Sequence, residues 1–270
     1  MSEEFLLAAI KRRKARDRWF TSLVVALGIF SLLPLFSVLF YVVSRGGPGL
    51  FSIPVKVAAA GTLLETALAM LFAVPFGVGL GLYLSDACET KKATVIRHIA
   101  DLLASTPTII VGMAVYAVVV VIMGTFSLFA GSVALAVLTV PFLARETEKK
   151  ISLRAHVLRE GALALGASRM QAWLQMVLPA LRRPITVAVL LSALRAMGET
   201  APLLFTSYGN RSWPAGFFSP APALPLQIYN AALSSHTSLQ AQAFAGGLAL
   251  VIFIFALYGL ARWMDVGDRS

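Results

Sequence analysis

Charge is scarce in this chain. Only 13% of its 270 residues are Asp, Glu, Lys or Arg, where a soluble domain carries roughly a quarter. Hydrophobic residues make up 58%, and the mean hydropathy is +0.80. That deficit excludes an ordinary cytosolic enzyme and a disordered chain. A single cysteine, Cys88, excludes an internal disulfide, and its place in a short loop points to no metal site. Three histidines, His98, His156 and His236, are scattered without ligand spacing. No Gly-x-x-x-x-Gly-Lys-Ser/Thr loop occurs, so the chain does not cradle nucleotide phosphates in that manner. No nucleophile and base stand together, and the chain reads as non-enzymatic. What is abundant is uncharged apolar sequence, in runs of the about 20 residues needed to cross roughly 30 Å of hydrocarbon. The chain reads as an integral membrane protein.

Trp19 to Val43 carries no charge and follows a basic cluster, Lys11, Arg12, Arg13, Lys14, Arg16 and Arg18. A signal peptide has a shorter apolar region and a small-residue cleavage site, so this run reads as an uncleaved anchor behind a basic tail, residues 1–18. Gly46, Gly47, Pro48 and Gly49 make the next loop. Between Lys56 and Asp86 the only charge is Glu65, which gives the second span. Gly77 and Gly81, four residues apart within it, let another helix approach closely. The 43 uncharged residues from Leu102 to Ala144 are too many for one span and suit two joined by a tight turn, at Gly124-Thr125 or Gly131-Ser132. The fifth span lies between Pro184 and Tyr208 and carries Arg195 and Glu199. Ala243 to Ala261 is the sixth, closed by Arg262 and Trp263, with residues 264–270 as a tail.

Cations decide the count. With six spans, 19 Lys and Arg fall on the amino-terminal side and 3 (Arg45, Lys56 and Arg211) on the other. Reading the long run as a single span gives 10 against 12. The positive-inside rule prefers the first split and puts both termini in the cytoplasm. The net charge of +10 is then explained without nucleic acid as a partner.

Residues 145–183 form the one substantial cytoplasmic loop. Apolar residues recur there at helical spacing, Leu153, Val157 and Leu158 and then Trp173, Leu174, Val177 and Leu178. Gly161 and Gly166 interrupt the pattern, which predicts two short helices around a glycine bend. A basic helix lying on anionic headgroups is one reading of this segment. Its spacing adds another. Glu160, Gly161 and Ala162, then Gly166, then Met176, Leu178 and Pro179 resemble the EAA loop of binding-protein-dependent ABC importer permeases. Gly161 stands where that pattern usually has alanine. The resemblance implies a coupling helix, carrying Glu160, Gly161, Ala162, Gly166, Leu178 and Pro179, that docks on an ATPase subunit.

"ARETEKK" at 144–150, "LREGALALGASR" at 158–169, "RAMGETAPLLFT" at 195–206 and "GNRSWP" at 209–214 resemble phosphate permeases of the PstA type, as does "STPTIIVGMAVY" at 105–116. The resemblance implies an all-α, MetI-like fold of six transmembrane helices in residues 19–263. It also implies import of inorganic phosphate across the bacterial inner membrane. The implied partners are a PstC-type permease, two copies of a PstB-type ATPase and a PstS-type periplasmic phosphate-binding protein. This chain itself binds no cofactor, and ATP and Mg sit on the ATPase. The same architecture serving phosphonate, molybdate or sulfate is the nearest alternative, and a secondary transporter relaying protons through Glu65 and Glu199 is a more distant one.

Charges inside spans cost about 2.5–3.5 kcal/mol each on insertion scales, so each needs a partner or a watery cavity. Glu65 reads as structural. Arg195 and Glu199 are four residues apart, which on a continuous helix puts them on one face. They are a self-neutralising pair and, by the resemblance, a phosphate path in which Glu199 holds Arg195 until the anion arrives. Arg145 lines the exit or anchors its helix, and Thr106 and Thr108 turn hydroxyls toward the path. Pro202 frees the carbonyl of Gly198 and favours a locally open helix. Residues 212–240, with "ALPLQIYNAALSS", predict an amphipathic helix at the outer surface, either a cap over the path or part of the contact with the binding protein.

Overall fold

The computed structural model describes residues 3–87, 90–210 and 212–266. Cys88, Arg211 and Arg269, used above for the cysteine and charge arguments, lie outside them. An unpaired backbone group in lipid costs several kcal/mol, so a membrane chain without a closed barrel must be helical. The described residues are: their only strand-like contact is an isolated bridge between Tyr208 and Ala221. Among the described residues, five helices are long and apolar enough to cross a membrane, and a bent pair makes a sixth crossing when counted as one.

The chain divides into two units, Met1–Arg45 and Gly46–Ser270. The first is one helix, α1 (Glu3–Gly46), running through Pro34 without a break. The basic cluster therefore belongs to the same helix as the first crossing. From Trp19 to Val43 its large apolar side chains are mostly exposed, as suits a helix whose solvent is lipid.

In the second unit, α2 (Ile53–Asp86) and α6 (Leu128–Ala164) form the central pair. Their closeness rests on small residues. A Cβ on Gly77 would sit 2.9 Å from Leu143 Cγ, and one on Gly81 would sit 2.7 Å from the Ala144 carbonyl. Ser132 of α6 donates to the Glu65 carbonyl of α2 at 3.1 Å. Gly131 and Ser132 therefore belong to packing, and the predicted turn falls at the alternative position. There Gly124 adopts φ +70 and Ser127 caps α6 by accepting the Ala130 N–H.

Two segments depart from expectation. The third crossing does not start at Leu102. Instead α3 (Lys91–Ser105) meets the rod formed by α4 (Thr108–Val115), a π turn (Tyr116–Val120) and α5 (Val121–Met123) at a bend of 95°. Pro107 is the cause, since it holds Thr106 in extended backbone and breaks the helix. The predicted pair of short loop helices is also absent. α6 is 37 residues long, about 55 Å at 1.5 Å per residue, and carries the fourth crossing unbroken to Ala164. Gly161 sits inside this helix and interrupts nothing. Gly166, at φ +88, makes the bend. Ser168 and Gln171 then form a capping box that starts α7 (Arg169–Gln171), which continues through a π turn (Ala172–Val177) into α8 (Leu178–Gly198). Buried Ile151, Ala155, Val177 and Leu181 hold the two arms of this hairpin together.

After α8 come α9 (Ala201–Thr206), the predicted outer amphipathic helix as α10 (Leu224–Ala232), and α11 (Thr237–Val266). The segment before α10 seals the amino-terminal end of α6. Carbonyls of Thr206, Ser219 and Phe217 accept the N–H groups of Ser127, Leu128 and Phe129, donors that a helix start leaves unpaired.

Candidate translocation path and coupling loop

The fifth crossing breaks where Pro202 predicts. Proline at 202 cannot donate to the Gly198 carbonyl, and α8 ends at Gly198. Glu199 is extended (φ −73, ψ 127), and α9 restarts with Pro202 in its first turn. α4 crosses tightly here: a Cβ on Gly112 would lie 2.7 Å from Pro202 Cα. Arg195 and Glu199 are therefore not one turn apart on a continuous helix. Arg195 Nε is 3.8 Å from Glu199 Oε1, close enough for charge attraction and too far for a hydrogen bond. The guanidinium instead lies over the Phe142 ring of α6, with Cζ 4.6 Å from the centroid. No side chain or carbonyl among the described residues hydrogen-bonds it. The Arg195 side chain is 43% exposed and that of Glu199 19%.

Arg145 is placed differently. Its Nε donates to Asp101 Oδ1 of α3 at 2.9 Å and its Nη1 to Glu148 Oε2 at 2.5 Å. Glu148 also accepts from Arg97 Nε at 2.6 Å, and Arg97 Nη2 donates to the Leu84 carbonyl at 2.9 Å. This network joins α2, α3 and α6. A further ion pair, Arg159 with Asp86, ties the end of α2 to the carboxy-terminal part of α6. The pairing of Asp101, Arg97, Glu148, Asp86 and Arg159 was not read from the sequence. A signal was present for three of them, because Arg97 with Asp101 and Arg145 with Glu148 are cation and carboxylate one helical turn apart.

Thr106 and Thr108 flank the bend below α4, both half-buried. Thr106 donates to its own helix, at the Leu102 carbonyl 2.8 Å away. Among the described residues neither threonine hydrogen-bonds to Arg195, Glu199 or Arg145. Glu65 is sealed within the chain, 1% exposed, with its carboxyl against Gly131 and Ser207.

At the hairpin, Glu160 is exposed and lies 3.4 Å from His156 Nε2. Gly161 and Gly166 have open space around them, Ala162 is buried, Leu178 is half-buried and Pro179 is exposed. Leu165, Met170 and Leu174 stand exposed around the bend. The hairpin tip thus presents an apolar surface flanked by Glu160 and Arg169.

Residues 73–267 match the family described as binding-protein-dependent transport system inner membrane component. A phosphate transport system permease protein PstA of Yersinia pestis is 35% identical over 93% of this chain and 90% of its own length. A probable PstA of Methanocaldococcus jannaschii is 33% identical over 91% of each chain. The chain belongs to the PstA-type family of ABC importer permeases. A permease of this family is a non-enzymatic membrane component. Its fold is that of a chain in the MetNI methionine ABC transporter, solved in inward facing conformations. That structure superposes with a TM-score of 0.65 over 78% of this chain and 94% of the other, at 20% identity.

Proposed function

We propose that this permease moves inorganic phosphate inward across the inner membrane, as one half of an ATP-driven importer. The observation that carries this reading is Arg195: an exposed guanidinium at a broken crossing helix, with no hydrogen bond from it among the described residues. Arginine stays charged at any working pH and donates two parallel hydrogen bonds to phosphate oxygens. Glu199, 3.8 Å away, lowers the cost of the cation without occupying its donors, so the anion competes with attraction rather than with a made bond. Thr106 and Thr108 line the path beside α4, and Arg145 ties the middle of α6 to α3.

The assembly comprises a PstC-type permease, two PstB-type ATPase subunits that carry ATP and Mg, and a PstS-type periplasmic binding protein that delivers phosphate. Both termini are cytoplasmic. The hairpin bearing Glu160, Gly161, Ala162, Gly166, Leu178 and Pro179 docks on an ATPase subunit, and the exposed Leu165, Met170 and Leu174 supply the apolar contact. Because α6 is continuous from Leu128 to Ala164, movement of the docked tip reaches the membrane through one rigid helix.

Co-purification from native membranes tests the assembly, with an ATPase and a second six-span chain expected together with this one. Uptake of radiolabelled phosphate by the reconstituted complex tests the substrate, with phosphonate, molybdate and sulfate as competitors. Phosphate transport by this chain alone in liposomes would sink the reading.

A further inference from the structure

The Arg195 guanidinium is covered on one face and open at its edge. The ring of Phe142 lies beneath it at 4.6 Å, whereas the Glu199 carboxylate is 3.8 Å from Nε and makes no hydrogen bond. These two neighbours act differently. A carboxylate attracts a guanidinium by accepting its N–H groups, which lie in the plane of the group. An aromatic ring attracts the same cation through its negative face and leaves the in-plane donors untouched. Phe142 is half-buried on α6, one turn before Arg145. Arg145 has its own donors engaged by Asp101 and Glu148, so of these two arginines only Arg195 has donors to offer.

We propose that Phe142 is a positioning residue for the transported anion: it holds Arg195 by the π face, so that phosphate meets a guanidinium whose hydrogen-bond donors are free. The proposal rests on the reading that Arg195 lies on the phosphate path. Without the ring, the charged neighbour described beside Arg195 is Glu199. Arg195 closes onto it, and the entering anion must then break a charge-assisted hydrogen bond.

The test is made on the whole complex in proteoliposomes, with the periplasmic phosphate-binding protein supplied and phosphate uptake expressed per assembled complex. Phe142→Leu keeps an apolar side chain of similar bulk and removes the π face. Its complex is expected to assemble, with uptake falling about two- to thirtyfold, the range spanned by cation–π energies. Phe142→Tyr and Phe142→Trp keep the face and are expected to transport close to wild type, a rescue that a purely packing role does not provide. Arg195→Gln is expected to abolish uptake, and the Phe142→Leu/Arg195→Gln double variant to be no worse than Arg195→Gln alone. Normal uptake in Phe142→Leu alongside an inactive Arg195→Gln overturns the role of Phe142 and leaves the path reading standing. Normal uptake in Arg195→Gln removes the path reading and this proposal with it. Should Phe142→Leu fail to assemble, Phe142→Met replaces it. Aromatic variants that assemble but transport as poorly as the aliphatic ones also overturn the proposal.

Discussion

Arg145 and Arg195 share a sequence signature and have opposite surroundings. Each stands in an apolar helix with a glutamate one turn later, Glu148 and Glu199. Arg145 lies in the unbroken part of α6, where spacing of three residues brings the side chains together, and its donors engage Glu148 and Asp101. Arg195 lies in the last turn of α8. The helix stops at Gly198, Glu199 turns into extended backbone, and the two charges stay 3.8 Å apart. Helix continuity is the variable that differs, and Pro202 sets it. A continuous helix turns the charge pair into a structural tie. A broken one leaves a cation available to something that arrives from outside.

The largest effect expected from this contrast is at Arg195. Arg195→Lys keeps the charge and loses the two-pronged geometry, and uptake is expected to fall by about tenfold or more, the worth of one charge-assisted hydrogen bond. The complex should still assemble with measurable ATPase. Glu199→Gln is expected to lower uptake less, and the double substitution to be no worse than Arg195→Lys. Complex yield, ATPase rate and labelled phosphate uptake are measured in parallel. Normal uptake in Arg195→Lys ends the contrast. Loss of assembly instead makes both arginines structural ties.

Next is Arg145→Ala, which leaves Glu148 with Arg97 alone and Asp101 without its partner on α6. The network is partly solvated, so a cost of about 1–3 kcal/mol is expected, seen as lower thermal stability in detergent and lower complex yield. Uptake per assembled complex should hold near wild type. An assembled complex that fails to transport would place Arg145 on the path beside Arg195.

Much of the fold can be read from residue patterns because lipid imposes a simple rule on composition. Apolar runs located the crossings, and Gly77 and Gly81 marked the α2–α6 contact that the structure contains. Direction is what hydropathy cannot register. Nothing in the apolar count distinguishes a straight third crossing from the 95° bend at Thr106-Pro107, although Pro107 marks the place. Nor does it reveal that α6 runs on to Ala164, since a helix entering water loses its apolar face without losing its hydrogen bonds. At the site, the break at Pro202 was foreseeable from its missing donor. The partner of Arg195 was not, because Phe142 lies 53 residues earlier and an aromatic in an apolar run has no local signature.

The coupling hairpin offers a milder pair of residues for comparison. Gly166 occupies φ +88, where a side chain costs about 1–2 kcal/mol. Gly166→Leu is expected to leave membrane insertion intact, strain the bend and loosen the ATPase. Pull-down of the ATPase by the solubilised permease reports this. Unchanged binding together with normal stimulation of ATP turnover through the binding protein would move the dock elsewhere.

Gly161 is the counterpart and the smallest effect. It lies within α6, takes no unusual φ, and has no heavy atom within 4 Å of where a Cβ would be. Alanine there restores the residue usual in EAA loops and adds about 0.5–1 kcal/mol of helix preference by restricting the unfolded chain. Gly161→Ala is therefore expected to raise thermal stability slightly and to leave ATPase association unchanged or marginally tighter, the reverse of Gly166→Leu. The same pull-down, run beside thermal unfolding, decides it. Because no described residue of this chain crowds position 161, a loss of ATPase binding in Gly161→Ala points to a surface of the ATPase pressed against the bare helix backbone. That outcome would turn an apparently idle glycine into a contact point and narrow the docking surface to the side of α6 that bears Glu160 and Gly161.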